Sequence, residues 1–111
     1  MTSDLDIEQL NTGSPMLQQA MNFLSGQKPR LQELGVRAVG LFGSVVRGEE
    51  ESDSDIDIVI DLSPNSELTL FSLLALEQEF TERLGRKVDL VIQSDLKPHI
   101  SESVLREVQY V

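Results

Sequence analysis

The chain has 111 residues, enough for one compact domain around a single core. It contains no cysteine, which leaves no basis for a disulfide framework or a thiolate metal site, and 19 Asp and Glu against 9 Lys and Arg give a formal net charge of −10. A surface of that sign repels a phosphate polyanion, so direct nucleic-acid binding is disfavoured. No apolar run approaches the roughly 18 residues of a membrane span, and an amino terminus carrying Asp4, Asp6 and Glu8 does not read as a signal peptide, so a cytoplasmic protein without membrane attachment is expected.

Residues 1–13 lack apolar periodicity and read as an irregular arm ahead of a domain over 14–111. Ser14 and Pro15 are N-cap and first-turn residues for a helix carrying Met16, Leu17, Ala20, Met21 and Leu24. Gly26 is expected to end it, and Pro29 to open a second short helix through Leu31 and Leu34 that stops at Gly35. Val36 to Phe42 reads as a buried strand broken by Gly43-Ser44, with a short helical turn from Ser44 to Gly48.

An acidic loop, Glu49 to Ser54, leads to a strand over Asp55–Leu62. Its strict alternation puts Ile56, Ile58, Ile60 and Leu62 on one face and Asp55, Asp57, Val59 and Asp61 on the other. After the turn at Ser63-Pro64-Asn65 comes what the pattern makes the longest helix, Glu67 to Leu84, with Leu73, Leu76, Phe80 and Leu84 as its core stripe and Gly85 as its cap. Leu70, Phe71 and Leu74 are apolar residues in excess of that stripe and suit a partner surface. A strand over Lys87–Ile92 and a last helix from Lys97-Pro98, carrying Ile100, Val104, Leu105 and Val108, complete an α/β pattern.

Two carboxylates at i and i+2 on a strand point the same way, and Asp55 and Asp57 meet that condition. Their like charges disfavour joint ionisation unless a cation lies between them, and hard oxygen donors select magnesium or manganese over zinc. Magnesium commonly takes few protein carboxylates and completes its octahedron with water and nucleotide phosphates. Gly43-Ser44, at a strand end before a helical turn, supplies free amides and a hydroxyl for phosphate oxygens, and Arg47 one turn on can neutralise a phosphate. Asp61 reads as a solvated carboxylate and His99, the lone histidine, as a surface residue.

Gly43-Ser44, the ten residues Val45 to Ser54, then Asp55-Ile56-Asp57 resembles the signature of the DNA polymerase beta-type nucleotidyltransferases. The wider runs Leu41 to Gly48 and Ser52 to Ile58 are similar to the minimal nucleotidyltransferase (MNT) group, whose members accompany a separate HEPN protein, and the likeness covers most of residues 15–111. The resemblance implies a small mixed sheet flanked by helices, with a third carboxylate on a neighbouring strand; Asp89, in Val88-Asp89-Leu90-Val91, matches that position. It further implies that Mg2+ is held by Asp55, Asp57 and Asp89, that Gly43 and Ser44 bind the β and γ phosphates of ATP, and that Asp89 helps deprotonate the acceptor hydroxyl. In the minimal group the acceptor is a tyrosine of a HEPN ribonuclease toxin and the enzyme is its antitoxin. An acidic antitoxin suits a toxin that must attract RNA with basic surface. Two alternatives stand beside this: an antitoxin that acts by covering the toxin without catalysis, and a small-molecule nucleotidyltransferase.

Overall fold

A computed structural model describes residues 15–111; the proposed arm and the Ser14 cap lie outside the described residues. The elements are helix α1 (Pro15–Glu33), strand β1 (Val36–Phe42), helix α2 (Ser44–Arg47), strand β2 (Ile56–Leu62), helix α3 (Leu70–Leu84), strand β3 (Val88–Ile92), a 3-10 turn over Gln93–Asp95, helix α4 (Pro98–Glu107) and strand β4 (Gln109–Tyr110). They form one four-stranded sheet in the order β3-β2-β1-β4. The β1–β2 and β1–β4 pairs are antiparallel and the β2–β3 pair is parallel, which makes the sheet mixed, as expected.

The alternation of β2 divides the sheet into two unlike faces. Ile56, Ile58 and Ile60 are fully buried with Val39 and Leu41 of β1 and Val88 and Leu90 of β3, under Leu17, Ala20, Leu24 and Leu31 of α1 and Leu76, Phe80 and Leu84 of α3. Phe80 meets Phe23 edge to face at a centroid distance of 5.1 Å, and Arg30 bridges α1 to α3 through a two-pronged ion pair with Glu79. Asp57 stands on the opposite face of the sheet, which also holds the buried Val59.

Three expectations need correction. Gly26 and Pro29 do not divide the first helical segment: α1 runs unbroken for 19 residues with Pro29 inside it, and it exceeds the 15 residues of α3. A proline within a helix removes one hydrogen bond and costs about 3 kcal/mol. Here Pro29 is exposed, and the helix is held by buried residues on both sides of it, Leu24 and Leu31. Helix α3 begins at Leu70 instead of Glu67 because Thr69 caps it, its hydroxyl accepting from the Ser72 amide at 3.1 Å, while the Leu68 amide donates to the Ser66 hydroxyl. Of the apolar residues on α4 only Val104 is buried; Ile100 and Leu105 are exposed, as are Leu70, Phe71 and Leu74 on α3.

Strand β4 has no counterpart in the sequence reading. Its two residues pair with Gly40 and Leu41. Gly40 permits the approach, since a Cβ there would stand 2.6 Å from the Val108 side chain and 2.9 Å from the Gln109 carbonyl oxygen. At the other sheet edge, α3 covers β3 with side chains: the Val88 amide donates to Thr81 Oγ1 at 2.9 Å and the Leu90 amide to Glu77 Oε2 at 2.8 Å. Two amides that would face an approaching strand are thereby occupied.

Candidate active site

Register gathers the site. In the antiparallel ladder Phe42 stands opposite Asp57, and in the parallel ladder Asp57 stands opposite Asp89. Opposed residues share a face, so Asp57 and Asp89 lie side by side on strands spaced about 4.8 Å apart. Gly43, the residue after Phe42, comes directly against Asp57. Its φ is +80°, and a Cβ at this position would collide with the Asp57 carboxylate. Glycine is required here both by conformation and by space.

Asp55 falls just before β2 rather than within it, and its Oδ2 stands 3.8 Å from Lys87 Nζ. Its approach is set by Arg86, whose guanidinium donates to the Ser54 carbonyl at 2.8 and 3.1 Å, to the Glu51 carbonyl at 2.9 Å and to Glu50 Oε2 at 3.3 Å. These bonds tie the acidic loop to the junction between α3 and β3. Arg86 has no motif to announce it; only the fold brings it beneath the loop.

Asp57 is half-buried, and its pKa is pushed up from 3.8 to about 6. Burial is the first cause, followed by the charges of Asp89 and Asp55; Arg47 acts in the opposite sense and Glu107 adds to the rise. Proximity of like charges raises the pKa because the second ionisation must be made against the first. Among the described residues no three metal-ligating side chains are gathered closely enough to form a complete ion site. The donors present are carboxylate oxygens that repel one another, which fits a hard divalent cation sharing its coordination with water and substrate oxygens.

Gly43 and Ser44 open α2, where the first amides have no acceptor within the helix. The Gly43 amide is nevertheless taken: it donates to Glu107 Oε2 at 2.6 Å. Arg47 binds the same carboxylate, its Nη1 standing 3.0 Å from Oε1 and 3.1 Å from Oε2, and its Nε donates to Glu49 Oε1 at 2.9 Å. Glu107, the last residue of α4, is thus a member of the site that sequence reasoning missed. It lies 64 positions from Gly43 and follows no motif. Asp61 is outside the site, paired with Arg37 at 2.9 Å, and His99 is exposed at the start of α4.

The nucleotidyltransferase domain profile matches residues 24–111. The chain belongs to the nucleotidyltransferase family. Protein adenylyltransferase MntA of Thermococcus cleftensis is 45% identical over 96 residues, which cover 86% of this chain and 95% of the relative. A toxin–antitoxin crystal structure with AMP-PNP superposes with a TM-score of 0.63 at 24% identity, over 75% of this chain and 67% of that one. The structure of a tri-AMPylated Shewanella oneidensis HEPN toxin in complex with MNT antitoxin superposes with a TM-score of 0.54 at 20% identity, over 78% and 69%. These likenesses to solved structures bear out the nucleotidyltransferase fold.

Proposed function

We propose that this nucleotidyltransferase is an antitoxin that transfers AMP from ATP to a tyrosine hydroxyl of a partner HEPN ribonuclease toxin, using Mg2+, in the cytoplasm, and that the domain over residues 14–111 carries the whole activity. The observation that carries the reading is the side-by-side placement of Asp57 and Asp89, with Gly43 packed against the Asp57 carboxylate. The relative named a protein adenylyltransferase supports the transfer of AMP to protein, and the neighbour holding a tri-AMPylated HEPN toxin supports the kind of acceptor.

Asp55, Asp57 and Asp89 would hold magnesium, which when bound offsets the charge of the triphosphate and of the departing pyrophosphate. The chain's own residues do the rest. The Gly43 amide, the Ser44 hydroxyl and the Arg47 guanidinium bind the β and γ phosphates and hold the triphosphate with its α-phosphorus facing the acceptor. Asp89, the exposed member of the pair, takes the proton of the acceptor hydroxyl. The acceptor oxygen bonds to the α-phosphorus, the bond from that phosphorus to the bridging oxygen breaks, and pyrophosphate leaves with the bonding electrons. An acidic chain meeting an RNA-binding toxin gains electrostatic complementarity at the encounter.

The deciding experiment incubates α-labelled ATP and Mg2+ with the partner HEPN protein and either the wild-type chain or the double variant Asp55→Ala, Asp57→Ala. Label on the partner, lost with the double variant, is the expected result. Absence of label from any nucleoside triphosphate, with toxin still neutralised by the double variant, would replace the proposal with neutralisation by binding alone.

A further inference from the structure

The Glu107 carboxylate occupies the two donors, the Gly43 amide and the Arg47 guanidinium, that the proposed function assigns to phosphate. Its Oε2 receives the Gly43 amide at 2.6 Å and Arg47 Nη1 at 3.1 Å, so one anionic oxygen is bound by both a backbone and a guanidinium donor of the phosphate cradle. Amide and guanidinium together are the chemistry that recognises a phosphate oxygen, and a carboxylate satisfies the same donors with a smaller charge. Glu107 does so at the edge of a carboxylate group, near enough to Asp57 to disfavour its ionisation, which is an unfavourable place for a further negative charge unless those donors hold it.

We infer that Glu107 is a built-in competitor for the triphosphate: it occupies the phosphate-binding donors of the site, and nucleotide binds by displacing it. The inference rests on the proposed nucleotide reading of Gly43 and Arg47 and adds a residue that sets nucleotide affinity. Displacement is sterically available. Glu107 ends α4, its side chain keeps 24% of its surface in solvent, and a turn about its side-chain bonds carries the carboxylate into water without moving the sheet. Arg47, 46% exposed and also held by Glu49, can exchange one anion for another while keeping its own place. The donors are thus kept in position by an internal anion, and the affinity measured for a triphosphate is the difference between its hold and that of Glu107.

The inference is tested by calorimetric titration of the full chain, in the presence of Mg2+, with α,β-methylene ATP, which cannot be cleaved at the transfer position. Wild type and Glu107→Gln are compared, with adenosine as the ligand lacking phosphates. Glu107→Gln should bind the triphosphate about 10-fold more tightly and leave adenosine affinity unchanged. Equal or weaker triphosphate binding by the variant overturns the inference and makes Glu107 a prop for the cradle. Failure of both chains to bind any triphosphate removes the nucleotide reading itself, and the inference with it. A measurement on the wild type alone guards against a variant that folds poorly: as triphosphate is added, the Glu107 side-chain carboxyl carbon resonance should move to that of a solvated glutamate. A resonance unmoved at saturation also overturns the inference.

Discussion

Replacing Asp57 by asparagine should stabilise the cation-free protein at neutral pH while abolishing transfer. Asp57 has its pKa raised from 3.8 to about 6 because burial and the charges of Asp89 and Asp55 oppose its ionisation. At about 1.36 kcal/mol per pH unit the rise corresponds to about 3 kcal/mol against folding once the group is ionised. The side chain is only half-buried, so solvent screening reduces the expected effect to about 1–1.5 kcal/mol. For a domain of this size that is a gain of about 4–8 °C in melting temperature per kcal/mol.

The pH dependence follows from the direction of the shift. The folded chain binds the Asp57 proton more tightly than the unfolded chain, so the stabilisation from this proton is fully present below pH 3.8 and is lost as pH rises through about 6. The advantage of Asp57→Asn over wild type should therefore be near zero at pH 4, grow between pH 4 and 6 and level off above about 6.5. Thermal unfolding in EDTA across that range measures it. Adding Mg2+ at pH 7.5 should raise the melting temperature of wild type and leave Asp57→Asn nearly unmoved, because a ligand that binds the native state alone stabilises by mass action. An advantage independent of pH, or a variant less stable than wild type at pH 7.5 in EDTA, would refute the reasoning.

Three further outcomes are expected. Asp89→Asn should lower the rate of AMP transfer by about 10²–10⁴-fold, the usual contribution of a positioned base, while changing nucleotide affinity little; single-turnover transfer and equilibrium binding measured on the same preparation separate the two. Gly43→Ala forces a side chain into a φ of +80° and against the Asp57 carboxylate, so it should cost about 1–3 kcal/mol in chemical denaturation and eliminate transfer together with stability. Pro29→Ala should stabilise the fold by about 1–2 kcal/mol, since the variant restores an exposed helical hydrogen bond that proline lacks, less the entropy returned to the unfolded chain. Urea midpoints for wild type and variant check that value, and an unchanged or lower midpoint would show that α1 is kinked or broken at Pro29.

The parts legible in the sequence are those written in local pattern. The alternation from Ile56 to Leu62 fixes both the buried face of β2 and the outward face of Asp57, and Val36 to Phe42 is the strand found. Gly43, Ser44 and the turn to Arg47 are local chemistry of the same kind. Where two local signals competed with packing, packing prevailed: Gly26 and Pro29 are helix breakers by propensity, yet Leu24 and Leu31 bury on either side and carry one helix through them. What local pattern could not contain is the far partner. Arg86 reaches Ser54 across 32 positions and Glu107 reaches Gly43 across 64, and neither residue type at its place in sequence differs from an ordinary surface charge. The two-residue strand β4 is too short for alternation to register, and it exists because Gly40 leaves room for it.

The charges of the site explain why its two halves belong together. Burial and the charges of Asp89 and Asp55 oppose the ionisation of Asp57, while the Gly43 amide and the Arg47 guanidinium are donors satisfied by an internal carboxylate. A free cation would relieve the first half and leave Glu107 on the second. A free triphosphate would have to displace Glu107 while adding negative charge beside the three aspartates. On the proposed function, a magnesium–triphosphate complex, which carries both signs, would answer the repulsion among the aspartates and supply the anion that replaces Glu107 in one event. On this account cation and nucleotide bind cooperatively, each raising the affinity for the other by the same factor, as linkage requires.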